Sequence, residues 1–78
     1  MKVKDIIKRA LYSRMINNRP FYSHEFDSLA KWAKDRYGKN HNTETYSRKF
    51  RELRESNEIL VESFKHGREN GYKIISIT

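Results

Sequence analysis

Residues 42–54 carry the side chains best suited to chemistry on another molecule. They read Asn42-Thr43-Glu44-Thr45-Tyr46-Ser47-Arg48-Lys49-Phe50-Arg51-Glu52-Leu53-Arg54. Tyr46, Phe50 and Leu53 recur at i, i+4, i+7, the spacing of one narrow helix face. Asn42 or Thr43 can cap the start, because a short oxygen-bearing side chain accepts from a free amide of the first turn. Ser47, Arg48 and Arg51 then project away from the apolar stripe. Arginine can offer paired donors to guanine O6 and N7. The hydroxyls of Thr43, Thr45 and Ser47, with the first amides of the helix, can hold phosphate oxygens. Glu44 could accept from cytosine N4, or could serve the helix dipole and touch nothing. This front suits a polyanion, and its far end turns acidic at Glu52 and Glu55.

A helix with one apolar stripe needs other elements to pack on it. The chain has 78 residues, enough for one small core, and residues 1–78 read as a single domain. Residues 2–17 read as a helix with Val3, Ile6, Ile7, Ala10, Leu11 and Met15 on one arc. Arg14 falls inside that arc, so either the helix frays before it or its stem packs and its head reaches water or an acid. Asn17-Asn18-Arg19-Pro20 is a stop. Phe21-Tyr22 is an aromatic stub of strand. Ser23 is a candidate N-cap for a second helix, with Glu25 and Asp27 in the first turn. Its stripe is Phe26, Leu29, Ala30, Ala33 and Tyr37, and Gly38 ends it. Trp32 lies off the stripe. It either packs on a neighbouring element or marks a contact surface.

Gly38-Lys39-Asn40-His41-Asn42 is a short polar loop into the third helix, which runs to about Ser56. Asn57 fits a left-handed residue after it. Beyond that the period changes. Residues 59–65 and 72–77 are rich in β-branched and aromatic residues, and His66-Gly67-Arg68-Glu69-Asn70-Gly71 reads as the turn between them.

Charge narrows the class of partner. The net charge is +7. Residues 1–19 carry +5, residues 39–54 carry +3 and residues 64–78 carry +2, while 20–38 are neutral and 55–63 carry −3. The positive charge thus lies on three separated segments, which favours a polyanionic partner on one side. The basic residues of the first helix, Lys2, Lys4, Lys8 and Arg9, either lie solvated on the back or approach flanking phosphates. Glu55, Glu58 and Glu62 read as a solvated rear face or as a surface for a basic protein.

Other chemistries find little support. The chain has no cysteine, and His24, His41 and His66 are far apart, so no metal is expected. No phosphate-cradling glycine loop or nucleophile elbow occurs. The expectation is a protein that is not an enzyme, with no cofactor, no small-molecule ligand and no membrane span.

Helix, stub, helix, short loop, helix, hairpin is the element order of the winged helix-turn-helix domain, an α+β fold. Thr45-Tyr46-Ser47-Arg48-Lys49-Phe50-Arg51-Glu52-Leu53 resembles the recognition helix of bacterial and phage winged-helix regulators, which often read Thr-apolar-Ser-Arg-x-apolar-Arg-x-Leu. Ser56-Asn57-Glu58-Ile59-Leu60 resembles the turn that follows, with Asn57 where glycine is usual. The resemblance implies three helices followed by a C-terminal β-hairpin wing, with residues 43–56 in the major groove of double-stranded DNA. The wing, residues 65–71, would lie on the flanking backbone or minor groove. Thr45, Ser47, Arg48 and Arg51 become groove-facing or phosphate-facing, with Lys39, Asn40, His41, Thr43, Glu44 and Lys49 around them and Lys65 and Arg68 on the wing. It implies a cytoplasmic, nucleoid-associated regulator of phage or mobile-element type, acting in transcription, replication or recombination. A homodimer on a palindromic or repeated site is left open. The alternative is a winged-helix module that binds a protein, such as an inhibitor of a host protein, through Trp32, Tyr12 and the glutamates. RNA binding is weaker, since no aromatic stacking platform is evident.

Overall fold

The computed structural model describes residues 1–78. The first helix, α1, spans Val3–Ile16 and buries Ile6, Ile7 and Leu11. It stops through Asn18, which has φ 54°. The Asn18 amide donates to the Met15 carbonyl at 3.1 Å and the Arg19 amide to Arg14 at 2.8 Å. These two bonds form a Schellman closure, so the left-handed asparagine ends the helix before Pro20 is reached. Arg14 does not fray. Its guanidinium forks onto the carboxylate of Glu25 and also donates to the Pro20 carbonyl at 3.1 Å.

Phe21–Tyr22 form β1. Helix α2 spans Glu25–Tyr37 and begins later than a cap at Ser23 would place it. Ser23 is held by the sheet instead, its amide donating to the Asn70 carbonyl at 3.0 Å. His24 occupies the cap position without a side-chain bond, and Glu25 reaches back to accept from the Tyr22 amide at 2.9 Å. Phe26, Leu29, Ala30 and Ala33 are buried, and Tyr37 is half-buried against them. Gly38 closes α2 at φ 68°, its amide donating to the Lys34 carbonyl at 3.0 Å.

Helix α3 spans Thr43–Glu55. Asn42 caps it, its Oδ1 accepting from the Thr45 amide at 2.9 Å. Tyr46, Phe50 and Leu53 are buried, as their spacing predicts. The end is a second Schellman closure around Asn57, at φ 63°, with Asn57 donating to Arg54 at 3.2 Å and Glu58 to Leu53 at 3.0 Å.

Strands β2 (Ile59–His66) and β3 (Glu69–Ile77) form an antiparallel hairpin. With β1 they make a three-stranded sheet in the order β1-β3-β2. The hairpin is tighter than a turn over residues 66–71. His66 pairs with Glu69 and Phe64 with Gly71, so only Gly67 and Arg68 lie in the turn. Gly67 has φ +65° and Arg68 does not share it, the pattern of a II′ turn. The Asn70-Gly71 step is strand. The Phe64 ring lies across its glycine, and a Cβ there would have to displace that partly exposed ring. A bulge between Leu60 and Val61 shifts the register near the hairpin's open end.

The helices and sheet meet on one core in which aromatic rings interlock. Phe26 contacts Phe21 and Phe50 edge to face at centroid distances of 5.1 and 5.3 Å, and Phe50 meets Tyr72 at 4.8 Å. Such pairs add about 0.5–1.5 kcal/mol each beyond area burial. Phe50 thus links α3 to β1, α2 and β3 at once. The result is a small three-helix domain with a C-terminal antiparallel hairpin, an α+β arrangement of helix-turn-helix-like shape. No helix is long and apolar enough to cross a membrane.

Candidate nucleic-acid interface

Packing on Tyr46, Phe50 and Leu53 leaves the opposite side of α3 in solvent. Glu44, Ser47, Arg48, Arg51 and Glu55 are all exposed there. The two arginines are held loosely. Arg48 Nε lies 4.0 Å from Glu52 and Arg51 Nε 3.9 Å from Glu55. Exposed pairs of this spacing are worth about 0.3–0.5 kcal/mol, less with the cation on the N-terminal side, as here. Either guanidinium can therefore be redirected at small cost.

The flanks of α3 differ. On one side Glu52 sits between Lys49 at 3.4 Å and Lys4 of α1 at 3.5 Å. Desolvation raises the Glu52 carboxyl, but the two ammonium groups outweigh it and hold the pKa below the ordinary carboxylate value. Lys49 is half-buried in this cluster, with Glu52 as its ion-pair partner. On the other side Arg54 lies over the rings of Phe50 and Tyr72, 5.8 and 5.2 Å from their centroids, and makes no ion pair. Arg48, Arg51, Ser47 and Arg54 thus follow one another around the helix toward the sheet. Arg54 stands outside the set of residues expected from the sequence. Its i+3 spacing from Arg51 was the available signal.

The start of α3 is tied down by its own threonines. Thr45 Oγ1 donates to Asn42 Oδ1 at 3.0 Å, and Thr43 Oγ1 donates to Asp27 Oδ1 of α2 at 3.0 Å. Hydrogen bonds from Lys31 first and Thr43 second lower the Asp27 pKa. Both hydroxyls are already engaged, Thr43 tying the start of α3 to α2 and Thr45 reinforcing the Asn42 cap. In the connecting loop Asn40 and His41 are exposed and Lys39 is half-exposed, with no ion pair to any of them. The His41 ring packs edge-on toward Tyr46 at 6.5 Å.

At the hairpin tip Lys65 and Arg68 are exposed and carry no carboxylate partner. Beside them the fold assembles a group that no local pattern foretold. Tyr22 of β1 lies between His24, ring stacked at 5.8 Å, and His66, at 4.8 Å. His24 Nδ1 lies 2.7 Å from Glu69. That hydrogen bond lowers the Glu69 pKa and fastens the start of α2 to the tip.

Two lysines of the basic first helix pair with carboxylates, while Lys2 and Arg9 are exposed without an acidic partner. Lys4 engages Glu52, Lys8 meets Glu58 at 3.0 Å, and Arg9 donates to the Tyr37 hydroxyl at 3.1 Å. The α1 lysines thereby neutralise the acidic end of α3 and the turn after it. Ser56 and Lys8 together lower the Glu58 pKa. Glu62 alone of the acidic block is left without a partner.

No protein-family model, curated protein or solved structure matches the chain.

Proposed function

We propose that the chain is a sequence-specific double-stranded DNA-binding protein of winged helix-turn-helix type. α3 enters the major groove and the hairpin tip rests on the flanking backbone or minor groove. The observation that carries this reading is the outward face of α3, where Arg48 and Arg51 are exposed and held only by weak contacts near 4 Å. Both can be exchanged for guanine edges at little cost. Ser47, Arg54 and the loop residues Lys39, Asn40 and His41 suit phosphates beside the groove. Lys65 and Arg68 extend the cationic track at the tip.

Thr43 and Thr45 serve this reading by fixing the helix start, and Lys49 by neutralising Glu52. Glu44, exposed and unpaired, is placed to accept from a base donor. The protein acts by occupancy and carries out no reaction. It regulates transcription, replication or recombination at the site that it covers.

Binding to a duplex across a salt series tests the reading. The logarithm of affinity should fall against the logarithm of salt with a slope of about −0.9 per phosphate neutralised. Four or so phosphate contacts give a slope of roughly −3.6. A flat response would remove nucleic acid as the partner.

A further inference from the structure

A second surface shares no residue with α3 or the hairpin tip. Between α1 and α2 runs a groove of about 550 Å³ to which no residue of α3, β2 or β3 contributes. Its floor is apolar, with Leu29 buried and Ala10 half-buried. Trp32 and Tyr37 stand together at its side, rings perpendicular at 5.4 Å. Trp32 is 38% exposed, so over a third of a large aromatic residue lies open to solvent.

The charges around this groove are unbalanced. Glu25 is its one carboxylate, and Arg14 and the Tyr22 amide already hold it. Arg9 and Arg36 have no acidic partner. Both converge on Tyr37, Arg9 by its bond to the hydroxyl and Arg36 with its guanidinium 6.0 Å from the ring centroid. The Arg9 hydrogen bond, against opposing desolvation and with help from Arg36, lowers the Tyr37 phenol pKa. Two guanidiniums sharing one phenol form a positive spot that a carboxylate would relieve.

We infer that the α1–α2 groove docks an acidic segment of a protein partner, with an aromatic or aliphatic side chain on Trp32 and Leu29 and a carboxylate between Arg9 and Arg36. Tryptophan, tyrosine and arginine around an apolar floor are the residues that dominate protein interfaces. A nucleic-acid backbone would leave that floor unused. No residue of α3 lines the groove, so the two surfaces share no side chain. The inference stands whether or not α3 binds DNA.

A displayed random-peptide library, selected on the intact protein without DNA, tests it. Enriched peptides should combine Asp or Glu with Phe, Trp or Leu. Titrating them should shift the emission of Trp32, the chain's one tryptophan. Replacing both Arg9→Ala and Arg36→Ala should weaken these peptides roughly tenfold or more. Both side chains are exposed, and Arg9→Gln with Arg36→Gln is a second pair that keeps more of each stem. Peptides with their acids changed to Lys should not bind, and Arg48→Ala with Arg51→Ala should leave peptide affinity unchanged. No enrichment, enrichment of peptides without acids, a silent Trp32, or loss on α3 substitution instead would each overturn the inference. Duplex binding measured on the same variants reports separately on the α3 reading.

Discussion

Glu25→Gln removes one charge from the joint between α1, β1 and α2 with little change of shape. The native carboxylate takes both terminal nitrogens of Arg14, Nη1 at 3.0 Å, and the Tyr22 amide at 2.9 Å. Glutamine has one acceptor oxygen, so the fork cannot be kept and Arg14 is left partly unpaired beside Phe21. Side-chain exposures of 33% for Arg14 and 17% for Glu25 put the pair between two classes. Surface pairs contribute about 0–1 kcal/mol, and breaking a buried one costs about 3–5 kcal/mol. The expected loss is therefore about 2 kcal/mol. A domain of this size has a total stability of about 4–12 kcal/mol, so the midpoint of thermal unfolding should fall by roughly 10 °C.

The same substitution has a signature in pH. Burial raises the Glu25 pKa, but Arg14 and the Tyr22 amide outweigh it, so the folded value lies below the ordinary 4.5. A carboxyl lowered in the folded state contributes fully above its unfolded pKa. That contribution is lost as pH falls through the folded value. The gap between wild type and Glu25→Gln should be complete at about pH 7 and should shrink at about pH 3. Urea denaturation followed by Trp32 fluorescence measures both. A loss under about 0.5 kcal/mol at neutral pH, or one of equal size at both pH values, would refute the account of this joint.

Three further outcomes are expected. Gly71→Ala would place a Cβ 2.6 Å from Phe64 Cε2, so it should cost about 1–3 kcal/mol; in a Phe64→Ala background the cost should fall by at least half, as a double-mutant cycle in urea would read. Asn42→Ala should cost about 1 kcal/mol in thermal unfolding by leaving the Thr45 amide without its cap. At Asn57, held at φ 63°, Ala should cost about 1–2 kcal/mol in the same assay, whereas Gly should be nearly neutral.

What could be read from the sequence was what neighbouring residues decide among themselves. The cap at Asn42, the stripe of Tyr46, Phe50 and Leu53, the glycine stop of α2 and the left-handed Asn57 each depend on a few adjacent positions, and each appears as expected. His24, not Ser23, occupies the cap position of α2, and the Ser23 amide bonds to Asn70, a partner far along the chain. The Asn-Gly step was drawn into β3 by Phe64 across the ladder, leaving the turn to Gly67 and Arg68. Lys49 and Arg54 lie on opposite edges of the same apolar stripe, and a helical wheel treats those edges alike. The docking of α1 on one side and the sheet on the other sets them apart: Lys49 shares Glu52 with Lys4, and Arg54 lies over Phe50 and Tyr72. The α1–α2 groove was equally hidden, since its residues come from two helices and gain meaning only side by side.

Base reading by α3 is tested most directly by one comparison. A duplex selected by the wild-type protein from a random pool should be measured against wild type, Arg48→Ala and Arg51→Ala at one fixed salt concentration. Each substitution should weaken the selected site by about 1–3 kcal/mol, the worth of a bidentate base contact, and should relax preference at the position that its arginine reads. If both variants bind the selected site as wild type does, α3 is not the reading helix.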